Sequence, residues 1–571
     1  MTGGTTRDMR GMATAEPDTF DYVIIGSGAA GSVLAARLGE DPAVSVCVLE
    51  AGPPDRHPFI HIPAGFIKML FNPAYTWQFK TEPTERTGGR GIATTQGRTI
   101  GGGGSINGMV YNRGQAADFD HWAQRGNRGW GYADVLPYFK RTERRIGGPE
   151  RSDSLGSQRS DFHGREGGIP VTDMDWIHPV SEAFIEGAAA MGMPRRNDYN
   201  GASQAGVGYF QRAIYRRFRR SSARMFLLPA QARGNVEIRT DARATAVLLE
   251  GKRAVGVRYV NDRDRKTIGE VRARREVIVS AGTANTARLL QISGIGPGGL
   301  LRSLGVPVRH ELAGVGENFR DHYAVRLVAR VKNVRTMNEM ARGLGLVGQI
   351  ARWAMGRPSI MTLTPSNVHW FWKSNELMDS PDLQGVFSPA SYKAGFVGLL
   401  DDFPGMTVGV WQHRPESTGY VRARSTDVFV DPIIQPNYLD HPTDRAALIG
   451  GLRLAQKLLR TPRLAPYFDR MEMPVEGELS DDEWLDYAGK WGSTCYHLMG
   501  TARMGPATDP TAVVDDELRV HGLERLRVVD ASIMPNMPSA NTYASTMMIA
   551  EKAADMIRGR PAPAPEFPPS G

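Results

Sequence analysis

A strand, a glycine-rich turn and a helix follow one another near the start of the chain. Residues 21–25 form a short run rich in β-branched side chains, and residues 26–31 read GSGAAG. Residues 32–38 then carry apolar side chains at helical spacing, and a second apolar run, 44–49, ends at Glu50. These two periodicities distinguish helices from strands. The pattern predicts a strand–helix–strand unit with an acidic residue where its second strand stops.

This unit has the features of a dinucleotide-binding turn. Gly26 permits the tight turn, Gly28 lets the backbone approach a pyrophosphate, and Gly31 allows close helix packing. The helix N-terminus stabilises the anion. Glu50, 19 residues after Gly31, would accept a hydrogen bond from a ribose hydroxyl. NAD and FAD both suit such a turn, and the flanking strands disfavour the alternative of a purely structural turn.

A second glycine-rich segment, residues 97–112, reads GRTIGGGGSINGMVYN. Consecutive glycines bring backbone N–H groups close to a ligand where no Cβ would fit, which suits a phosphate or the edge of a flavin. A flexible linker is the alternative, but Ile106, Met109, Val110 and Tyr111 follow at once and favour a packed turn. No Gly-Lys-Ser/Thr closes the segment, so it is not a nucleotide P-loop.

Two later apolar runs, 277–280 and 526–529, read as short buried strands of a parallel sheet, and small residues follow each of them. Ligands meet α/β sheets at such strand ends. The predicted fold class is therefore α/β, and a length of 571 residues with 41% hydrophobic content suggests roughly two to four domains.

Composition adds few constraints. The net charge of +8 is diluted over a long chain, and the two cysteines, Cys47 and Cys495, provide no disulfide framework. A reducing, cytoplasmic location is the expectation. Residues 1–17 contain no apolar stretch that could serve as a secretory signal. Both ends, 1–17 and 561–571, are predicted to be disordered tails.

Two segments raise the question of further partners. The arginine-rich run 212–224 is interpreted as a solvated face, and no recognised nucleic-acid module accompanies it. Residues 344–355 are apolar around Arg352 and Trp353 and too short to span a bilayer. A pocket wall or ordinary packing is favoured for them over peripheral membrane contact. No HExxH, paired CxxC or Gly-x-Ser-x-Gly motif occurs, so no metal site is predicted.

Taken together, several strings along the chain resemble the glucose-methanol-choline oxidoreductases, nearest to their choline dehydrogenase-like and bacterial alcohol dehydrogenase branch. The resemblance extends from about residue 22 to residue 556. The matching strings are the opening fingerprint with EAG at 50–52, HIPAGF at 61–66, SING at 105–108, RSSA at 220–223, SAG at 280–282, SGIGP at 293–297, GVGEN at 314–318, HLMGT at 497–501 and LRVVDAS at 526–532.

The resemblance implies two interleaved domains. A Rossmann-like FAD-binding domain of residues 18–160, 220–321 and 491–560 would be joined by a substrate-binding domain of residues 161–219 and 322–490. The resemblance and the glycine fingerprints together imply a set of cofactor-binding positions: Gly26, Gly28, Ala29, Ala30, Gly31, Glu50, Ala51, Arg98, Gly102, Gly103, Asn107, Gly108, Met109, Val110, Ala281, Asp530, Ala531, Asn541 and Thr542. Some relatives attach flavin covalently through a histidine at the position of Ile106, so FAD is expected to be bound non-covalently here.

Alcohol oxidation needs a base for the hydroxyl proton, and an imidazole suits that task. His497 matches the family's catalytic histidine in HLMGTARMG. The partner position of that histidine is assigned to Tyr543, where relatives carry Asn or His, and a phenol is a poor base at neutral pH. Two interpretations stay open for Tyr543: a hydrogen-bonding partner in catalysis, or a ring that narrows the pocket or turns away.

The expected activity is oxidation of a primary alcohol to the aldehyde by hydride transfer to the flavin. An acceptor other than NAD, quinone-like or O2, takes the electrons, and a dehydrogenase is favoured over an oxidase. The alternative is a non-redox lyase that uses His497 for proton transfer. Four aromatic residues in the proposed substrate domain suggest an apolar pocket for aliphatic or aromatic alcohols: Trp370, Phe371, Trp372 and Trp411.

Overall fold

A computed structural model describes residues 17–147, 162–393, 398–474 and 477–568. Over these ranges the strands are β1 (Asp18–Ile25), β2 (Val46–Leu49), β3 (Thr76–Trp77), β4 (Gln96–Gly97), β5 (Glu143–Ile146), β6 (Ile169–Thr172), β7 (Gly206–Tyr209), β8 (Ile214–Tyr215), β9 (Phe218–Arg219), β10 (Val236–Arg239), β11 (Ala242–Glu250), β12 (Arg253–Asn261), β13 (Ile268–Val279), β14 (Ile295–Gly296), β15 (His310–Glu311), β16 (Tyr323–Val331), β17 (Val368–Trp372), β18 (Leu383–Ser388), β19 (Gly405–Gln412), β20 (Tyr420–Arg422), β21 (Ile433–Gln435), β22 (Phe468–Met473), β23 (Ser493–Thr494) and β24 (Leu526–Val528).

The α-helices of the same ranges are α1 (Ala29–Leu38), α2 (Pro58–His61), α3 (Phe66–Leu70), α4 (Gly103–Ile106), α5 (Ala116–Gln124), α6 (Tyr132–Thr142), α7 (Pro179–Ala190), α8 (Leu228–Gln231), α9 (Thr283–Ile292), α10 (Gly298–Ser303), α11 (Met337–Met340), α12 (Gly343–Ala354), α13 (Pro442–Leu459), α14 (Asp481–Trp491) and α15 (Thr542–Arg558). Short 3-10 turns lie at Pro63–Gly65, Glu85–Thr87, Ile360–Thr362 and Ala531–Ile533, and a π-helical turn lies at Ala223–Leu227.

The first sheet has the order β10-β2-β1-β13-β12-β11, with β24 beside β13. β1 runs parallel to both β2 and β13, so that Ile25 lies opposite Leu49 and Val279. β1, α1 and β2 confirm the predicted strand–helix–strand unit. Its strands are apolar on both faces because helices cover the parallel part of the sheet.

The two later strands predicted from the sequence are neighbours in this sheet. Val277 of β13 lies opposite Leu526 of β24 in parallel register. β13 begins earlier than predicted, at Ile268, and its first half pairs antiparallel with β12. Arginines on exposed positions of that first half obscured the apolar pattern that marks a buried strand.

The second sheet has the order β22-β16-β19-β18-β17-β7, with β23 beside β16, and its neighbouring strands are antiparallel. Its residues alternate between two faces. One face, with Val325, Leu327, Val408 and Val410, belongs to a hydrophobic cluster that includes α7, α13 and α14. The other face lies over the cavity described below. The residue ranges predicted for the two domains remain a prediction.

The predicted apolar segment at 344–355 forms the surface helix α12. None of the residues of α12 is buried, and Leu344, Val347 and Ile350 are 90%, 62% and 45% exposed. The helix is tied to the protein through Trp353, whose carbonyl accepts a hydrogen bond from Arg217 Nη1 at 2.9 Å. The preference for a pocket wall or ordinary packing is therefore wrong, because the apolar face points away from the protein. Over the described ranges, no helix is long and apolar enough to cross a membrane.

The predicted tails lie partly outside the described residues, namely 1–16 and 569–571. Residues 561–568 form neither helix nor strand, but they are not detached. The Glu566 N–H donates to the Ala133 carbonyl at 2.9 Å, and its carboxylate pairs with Lys140 of α6. This part of the predicted disordered tail is packed against α6.

Candidate active site

A cavity of about 370 Å³ lies between the first sheet and one face of the second sheet. Its wall combines the turn before α1, the glycine loop of α4, the carboxyl ends of β2 and β13, and the segment around His497. Seventeen of the nineteen predicted cofactor positions line it: Gly26, Gly28, Ala29, Ala30, Glu50, Ala51, Gly102, Gly103, Asn107, Gly108, Met109, Val110, Ala281, Asp530, Ala531, Asn541 and Thr542.

The turn before α1 has the shape of a pyrophosphate cradle. A Cβ on Gly26 would lie 2.3 Å from the Ser280 carbonyl oxygen, and one on Gly31 would lie 1.9 Å from the Gly26 oxygen. Gly31 therefore acts through helix packing, without lining the cavity. Above Gly28 the space is open, and no side chain caps the first turn of α1. Its N–H groups are thus free to bind an anion.

Glu50 is held at the end of β2 by three donors. Its carboxylate accepts hydrogen bonds from the Ser27 N–H at 3.1 Å, the Ser27 hydroxyl at 2.6 Å and the Gly52 N–H at 2.8 Å. Burial raises the pKa of Glu50. A carboxylate has about four acceptor positions, so one remains for a ribose hydroxyl.

Besides Gly31, Arg98 is the predicted cofactor position that does not line the cavity. Its guanidinium pairs with Asp262 and donates to the Pro73 carbonyl at 2.8 Å. The side chain lies over the Trp77 ring and does not line the cavity. A contact of Arg98 with the cofactor therefore stays a prediction, since its Nε is buried without a partner among the described residues and its charge acts to lower the pKa of Glu50.

The glycine loop is packed, as predicted, against the first turn. A Cβ on Gly102 would lie 2.9 Å from the Gly28 Cα, so the two glycine segments touch. The loop is fastened by Arg219, which donates to Asn107 Oδ1 at 2.7 Å and to the Ile60 carbonyl at 2.8 Å. Arg219 is only 3% exposed. The interpretation of the arginine run 212–224 as a solvated face is therefore wrong for Arg219, because this side chain is buried and fastens the glycine loop.

These residues fit FAD. The first cradle can hold the pyrophosphate, Glu50 the ribose, and the glycine loop can approach a ring system without side-chain obstruction. Ile106 is buried among Ile60, Phe66, Met69 and Leu70. It offers no atom for a bond to flavin.

We expect FAD to be released when the protein is denatured, because an aliphatic side chain stands at the position of covalent attachment. The measurement is flavin absorbance in the supernatant after acid precipitation of the holoprotein. Yellow colour that stays with the washed precipitate would contradict non-covalent binding.

His497 lies at the opposite end of the cavity, between two polar partners. Its Nδ1 is 2.9 Å from the Nδ1 of His322, and its Nε2 is 2.9 Å from the amide nitrogen of Asn541. The Nε2 of His322 is 2.6 Å from the His413 carbonyl oxygen. A carbonyl only accepts, so His322 carries its proton on Nε2 and presents a bare Nδ1.

This chain of contacts fixes the tautomer of His497. Its Nδ1–H donates to His322, which leaves Nε2 unprotonated and accepting from the Asn541 amide. Burial lowers the pKa of His322 to about 4 and, with the neighbouring His322, holds the pKa of His497 well below its usual value. Both rings are therefore neutral at physiological pH, and the basic lone pair lies on Nε2.

Asp321 anchors the backbone of the same segment. Its Oδ1 accepts from the His497 N–H at 2.8 Å, and its Oδ2 accepts from the hydroxyls of Tyr438 and Thr494. Burial raises the pKa of Asp321 to about 6, against the effect of these donors. His497 is thus held through its backbone as well as its ring.

The structure corrects the partner assigned to His497. Asn541 occupies that place, whereas the Tyr543 hydroxyl accepts a hydrogen bond from the Ser222 N–H at 2.8 Å. The Tyr543 ring lies over Gly104, where a Cβ would come within 2.8 Å of it. Burial also raises the pKa of Tyr543. Of the two open interpretations, the structure favours a ring that shapes the wall. The two residues are two positions apart at the start of α15, about half a helical turn, so their side chains point in different directions.

We expect Tyr543→Phe to change the rate of alcohol oxidation by less than about threefold. It should lower the free energy of unfolding by about 1 kcal/mol or more, because it leaves the Ser222 N–H unpaired. Steady-state kinetics and denaturant unfolding of the same preparation measure both effects. A 100-fold lower rate with an unchanged free energy of unfolding would contradict this expectation and show that the Tyr543 hydroxyl takes part in catalysis.

Of the four aromatic residues proposed for the substrate pocket, only Trp411 lines the cavity. Trp370 and Trp372 pack on the opposite face of the second sheet, and Phe371 packs with Tyr199 and Phe210. The aromatic side chains of the cavity wall are thus mostly other ones than predicted, among them Phe66, Trp77, Phe79 and Phe210. His322 was missed because nothing in its sequence surroundings distinguishes it from a core histidine.

A bare imidazole nitrogen that opens on a cavity with a dinucleotide cradle at its far end is the arrangement of a flavin-dependent enzyme that oxidises alcohols. Known proteins agree with this class. Two family models described as GMC oxidoreductase match residues 20–324 and 415–550. The chain belongs to the GMC oxidoreductases and is an FAD-dependent alcohol oxidoreductase.

Individual relatives match over almost their whole length. Alcohol dehydrogenase [acceptor] of Pseudomonas putida is 37% identical over 541 residues, covering 94% of this chain and 95% of its own. An oxygen-dependent choline dehydrogenase of Brucella anthropi is also 37% identical, with coverages of 95% and 96%. The crystal structure of pyridoxine 4-oxidase from Mesorbium loti has a TM-score of 0.84 at 29% identity, covering 95% of this chain and 99% of that one.

Proposed function

We propose that the enzyme oxidises primary alcohols, with Nε2 of His497 as the base that takes the hydroxyl proton. The observation that carries this proposal is the run of contacts from the His413 carbonyl through His322 to His497, which leaves Nε2 without a proton. Its lone pair accepts from the Asn541 amide until an alcohol hydroxyl takes that place. When bound, FAD supplies the acceptor for the hydride that leaves the alcohol carbon. A base that takes the hydroxyl proton is needed because hydride loss from an alcohol that keeps this proton would leave a protonated carbonyl product.

Asn541 completes the proton-handling pair. Its amide nitrogen is 2.9 Å from His497 Nε2, so an oxygen that binds Nε2 is also within reach of the amide. The amide can donate to that oxygen while its proton moves to the imidazole. Burial keeps the imidazolium unfavourable and therefore keeps the base ready in its neutral form.

The test is anaerobic mixing of the holoenzyme with primary alcohols. We expect loss of the oxidised-flavin absorbance band, because the reaction moves two electrons onto the cofactor. A lyase that uses His497 only for proton transfer would leave that band unchanged and would exchange the α-proton of its substrate with solvent. Unbleached flavin with every aliphatic and aromatic primary alcohol tried would reject the proposal.

The substrate end of the cavity is not suited to a cationic alcohol such as choline, for which one relative is named. Among the described residues, the carboxylates that line the cavity are Glu50 and Asp530, both at the nucleotide end. At the substrate end the cavity is lined instead by Arg326. We therefore favour uncharged or anionic primary alcohols over choline.

For the acceptor we favour a quinone-like molecule over O2, and a cytoplasmic enzyme that touches the membrane peripherally. The exposed apolar face of α12 supports this choice. Residues 342–357 contain three exposed arginines and no acidic residue, so an apolar stripe lies among positive charges. Helices of this composition lie in the interface of anionic bilayers.

Co-sedimentation with lipid vesicles tests the membrane contact. We expect binding to vesicles that contain phosphatidylglycerol and none to pure phosphatidylcholine, and loss of binding in Leu344→Glu/Val347→Glu. Leu377→Glu is the matched control, because Leu377 is 92% exposed outside α12. Equal sedimentation of all three proteins would reject α12 as the contact.

Reduction rates of O2 and of a soluble quinone, compared directly, decide the acceptor.

A further inference from the structure

The cavity-facing side of the second sheet carries three polar side chains on three neighbouring strands. Gln384 of β18 lies opposite Trp411 of β19, and Arg326 of β16 lies opposite Gly409, two residues before Trp411. Residues two apart on a strand share a face, and neighbouring strands are about 4.8 Å apart. Arg326, Gln384 and Trp411 therefore form one patch, and all three line the cavity.

This patch lies next to the proposed base. The Trp411 and His497 ring centroids are 6.4 Å apart. Burial raises the pKa of Cys495 and of Tyr496, and the charge of Arg326 acts against that rise in both. The guanidinium is thus close to the segment that ends at His497. A small alcohol could reach from the patch to the base.

Arg326 has no hydrogen bond or ion pair from its side chain to any residue that the structure describes. Many arginines of the same ranges are paired, for example Arg330 on the same strand with Glu472. Gly409 leaves room for the stem of Arg326, since a Cβ there would lie 3.4 Å from its Cγ and 3.0 Å from Val386 Cγ2. The charge faces the cavity without a protein counter-ion.

The neighbouring groups are unpaired as well. Gln384 is fully buried, and neither its amide nitrogen nor its amide oxygen has a partner within the described part of the chain. The Trp411 indole N–H is also buried without an acceptor. Buried polar groups without partners are costly, and a ligand that supplies acceptors removes that cost. Arg326, the Trp411 indole and the Gln384 amide nitrogen are all donors, so the partner these three lack is an acceptor, and the uncompensated charge favours an anionic one. The Gln384 amide oxygen is not served by such a partner.

We propose that the substrate is a primary alcohol that carries a carboxylate, with the carboxylate held by Arg326 and Gln384 beside Trp411 and the hydroxyl at His497. This inference rests on the proposed function, since it names the substrate class of the same site. The carboxylate takes no part in the bond changes. It fixes the distance of the hydroxyl from the base and raises the fraction of bound alcohol.

Alcohols matched in skeleton test the proposal on the holoenzyme. The aromatic pair is para-hydroxymethylbenzoate and para-methylbenzyl alcohol, and the aliphatic pair is an ω-hydroxyhexanoate and hexanol. We expect the carboxylate member of at least one pair to have a kcat/KM higher by roughly 10- to 100-fold, the usual size of a hydrogen bond to a charged group. Arg326→Gln should remove that advantage, so that the two members of each pair have kcat/KM values within about threefold of each other.

Arg330→Gln is the matched control, because it removes an arginine from the same strand outside the cavity. It should leave the preference for carboxylates intact. Equal kcat/KM values within both pairs would overturn the proposal. The proposal would also be overturned if Arg326→Gln lowered kcat/KM by the same factor for charged and uncharged alcohols. In that case the positive charge of Arg326 would act on the reaction common to all alcohols, and not on the carboxylate of the substrate.

A binding measurement separates this inference from the proposed function. Benzoate, which has no hydroxyl to oxidise, should perturb the flavin spectrum of the wild-type holoenzyme and of Arg330→Gln, with at least about tenfold weaker binding to Arg326→Gln. Arg326-dependent binding without flavin reduction by any alcohol would leave the anion site standing and remove the proposed function. Alcohol oxidation combined with equal benzoate binding by the wild type and Arg326→Gln would leave the proposed function standing and remove the anion site.

Discussion

His497→Gln lowers the anaerobic rate of flavin reduction by primary alcohols by roughly 100- to 10,000-fold, the range that a positioned base contributes. The physical reason is the loss of the only bare nitrogen that the site presents to the hydroxyl proton. Glutamine keeps a polar side chain of similar reach, so packing around Asp321 and Asn541 is preserved as far as possible. Stopped-flow absorbance of the flavin measures the rate directly.

His521→Gln is the control for this experiment. The Nε2–H of that histidine donates to the Gly505 carbonyl, 3.0 Å away, and the side chain does not line the cavity. Its variant should reduce flavin at the wild-type rate. A His497→Gln enzyme with full FAD content and a rate within threefold of wild type would remove His497 from the mechanism.

His322→Leu is expected to lower kcat by roughly 100-fold or more at neutral pH, although His322 does not line the cavity. Its unprotonated Nδ1 accepts a hydrogen bond from the Nδ1–H of His497, at a distance of 2.9 Å between the two nitrogens. Without that acceptor, the proton of His497 is free to move to Nε2 and donate to the Asn541 amide oxygen, which has no partner in the structure. The lone pair then points away from the substrate. His322 is thus a positioning residue.

His322→Asn should restore most of the lost rate, because its amide oxygen can take the place of Nδ1 as the acceptor. If His322→Leu were slow only because the site had become less rigid, His322→Asn would be equally slow. Equal rates for the leucine and asparagine variants, with equal stability, would contradict a role in fixing the tautomer.

The pH profile provides an independent readout. Burial and the neighbouring His322 lower the pKa of His497. The base is active when unprotonated, so kcat/KM should rise with pH through that lowered pKa and be level by neutral pH, with its acid limb below about pH 6.5. In His322→Asn one cause of the lowering is gone, and the limb should move to higher pH. A wild-type limb at or above pH 7 would contradict the neutral imidazole.

These expectations depend on unequal contributions from sequence and tertiary structure. The strand–helix–strand unit, the roles of Gly26, Gly28 and Gly31, and the packed glycine loop follow from residues close together in the chain. Turn geometry and helix termini are short-range features, so local patterns suffice to predict them. The motif around His497 likewise proposed this residue as the base, through its resemblance to the family's catalytic histidine and without knowledge of its neighbours.

The partners of that base depended on the fold. His322 lies 175 residues from His497 and Asn541 lies 44 residues from it, and no periodicity connects them. Tyr543 and Asn541 are two residues apart on one helix start, yet only one of them faces His497. Which one does so is set by how α15 packs against α1 and α6, and this is a long-range property.

The sequence by itself determined the dinucleotide cradle, and its resemblance to a family proposed non-covalent attachment at Ile106 and His497 as the base. Only the tertiary structure decided the tautomer of His497, the pairing of Arg98 with Asp262, the exposure of α12 and the place of Arg326 opposite Gly409, without an ion pair among the described residues. The reason is physical. Backbone conformation responds to neighbouring residues, whereas the face on which a side chain lies, and the atoms it meets, depend on strand register and helix docking across hundreds of residues.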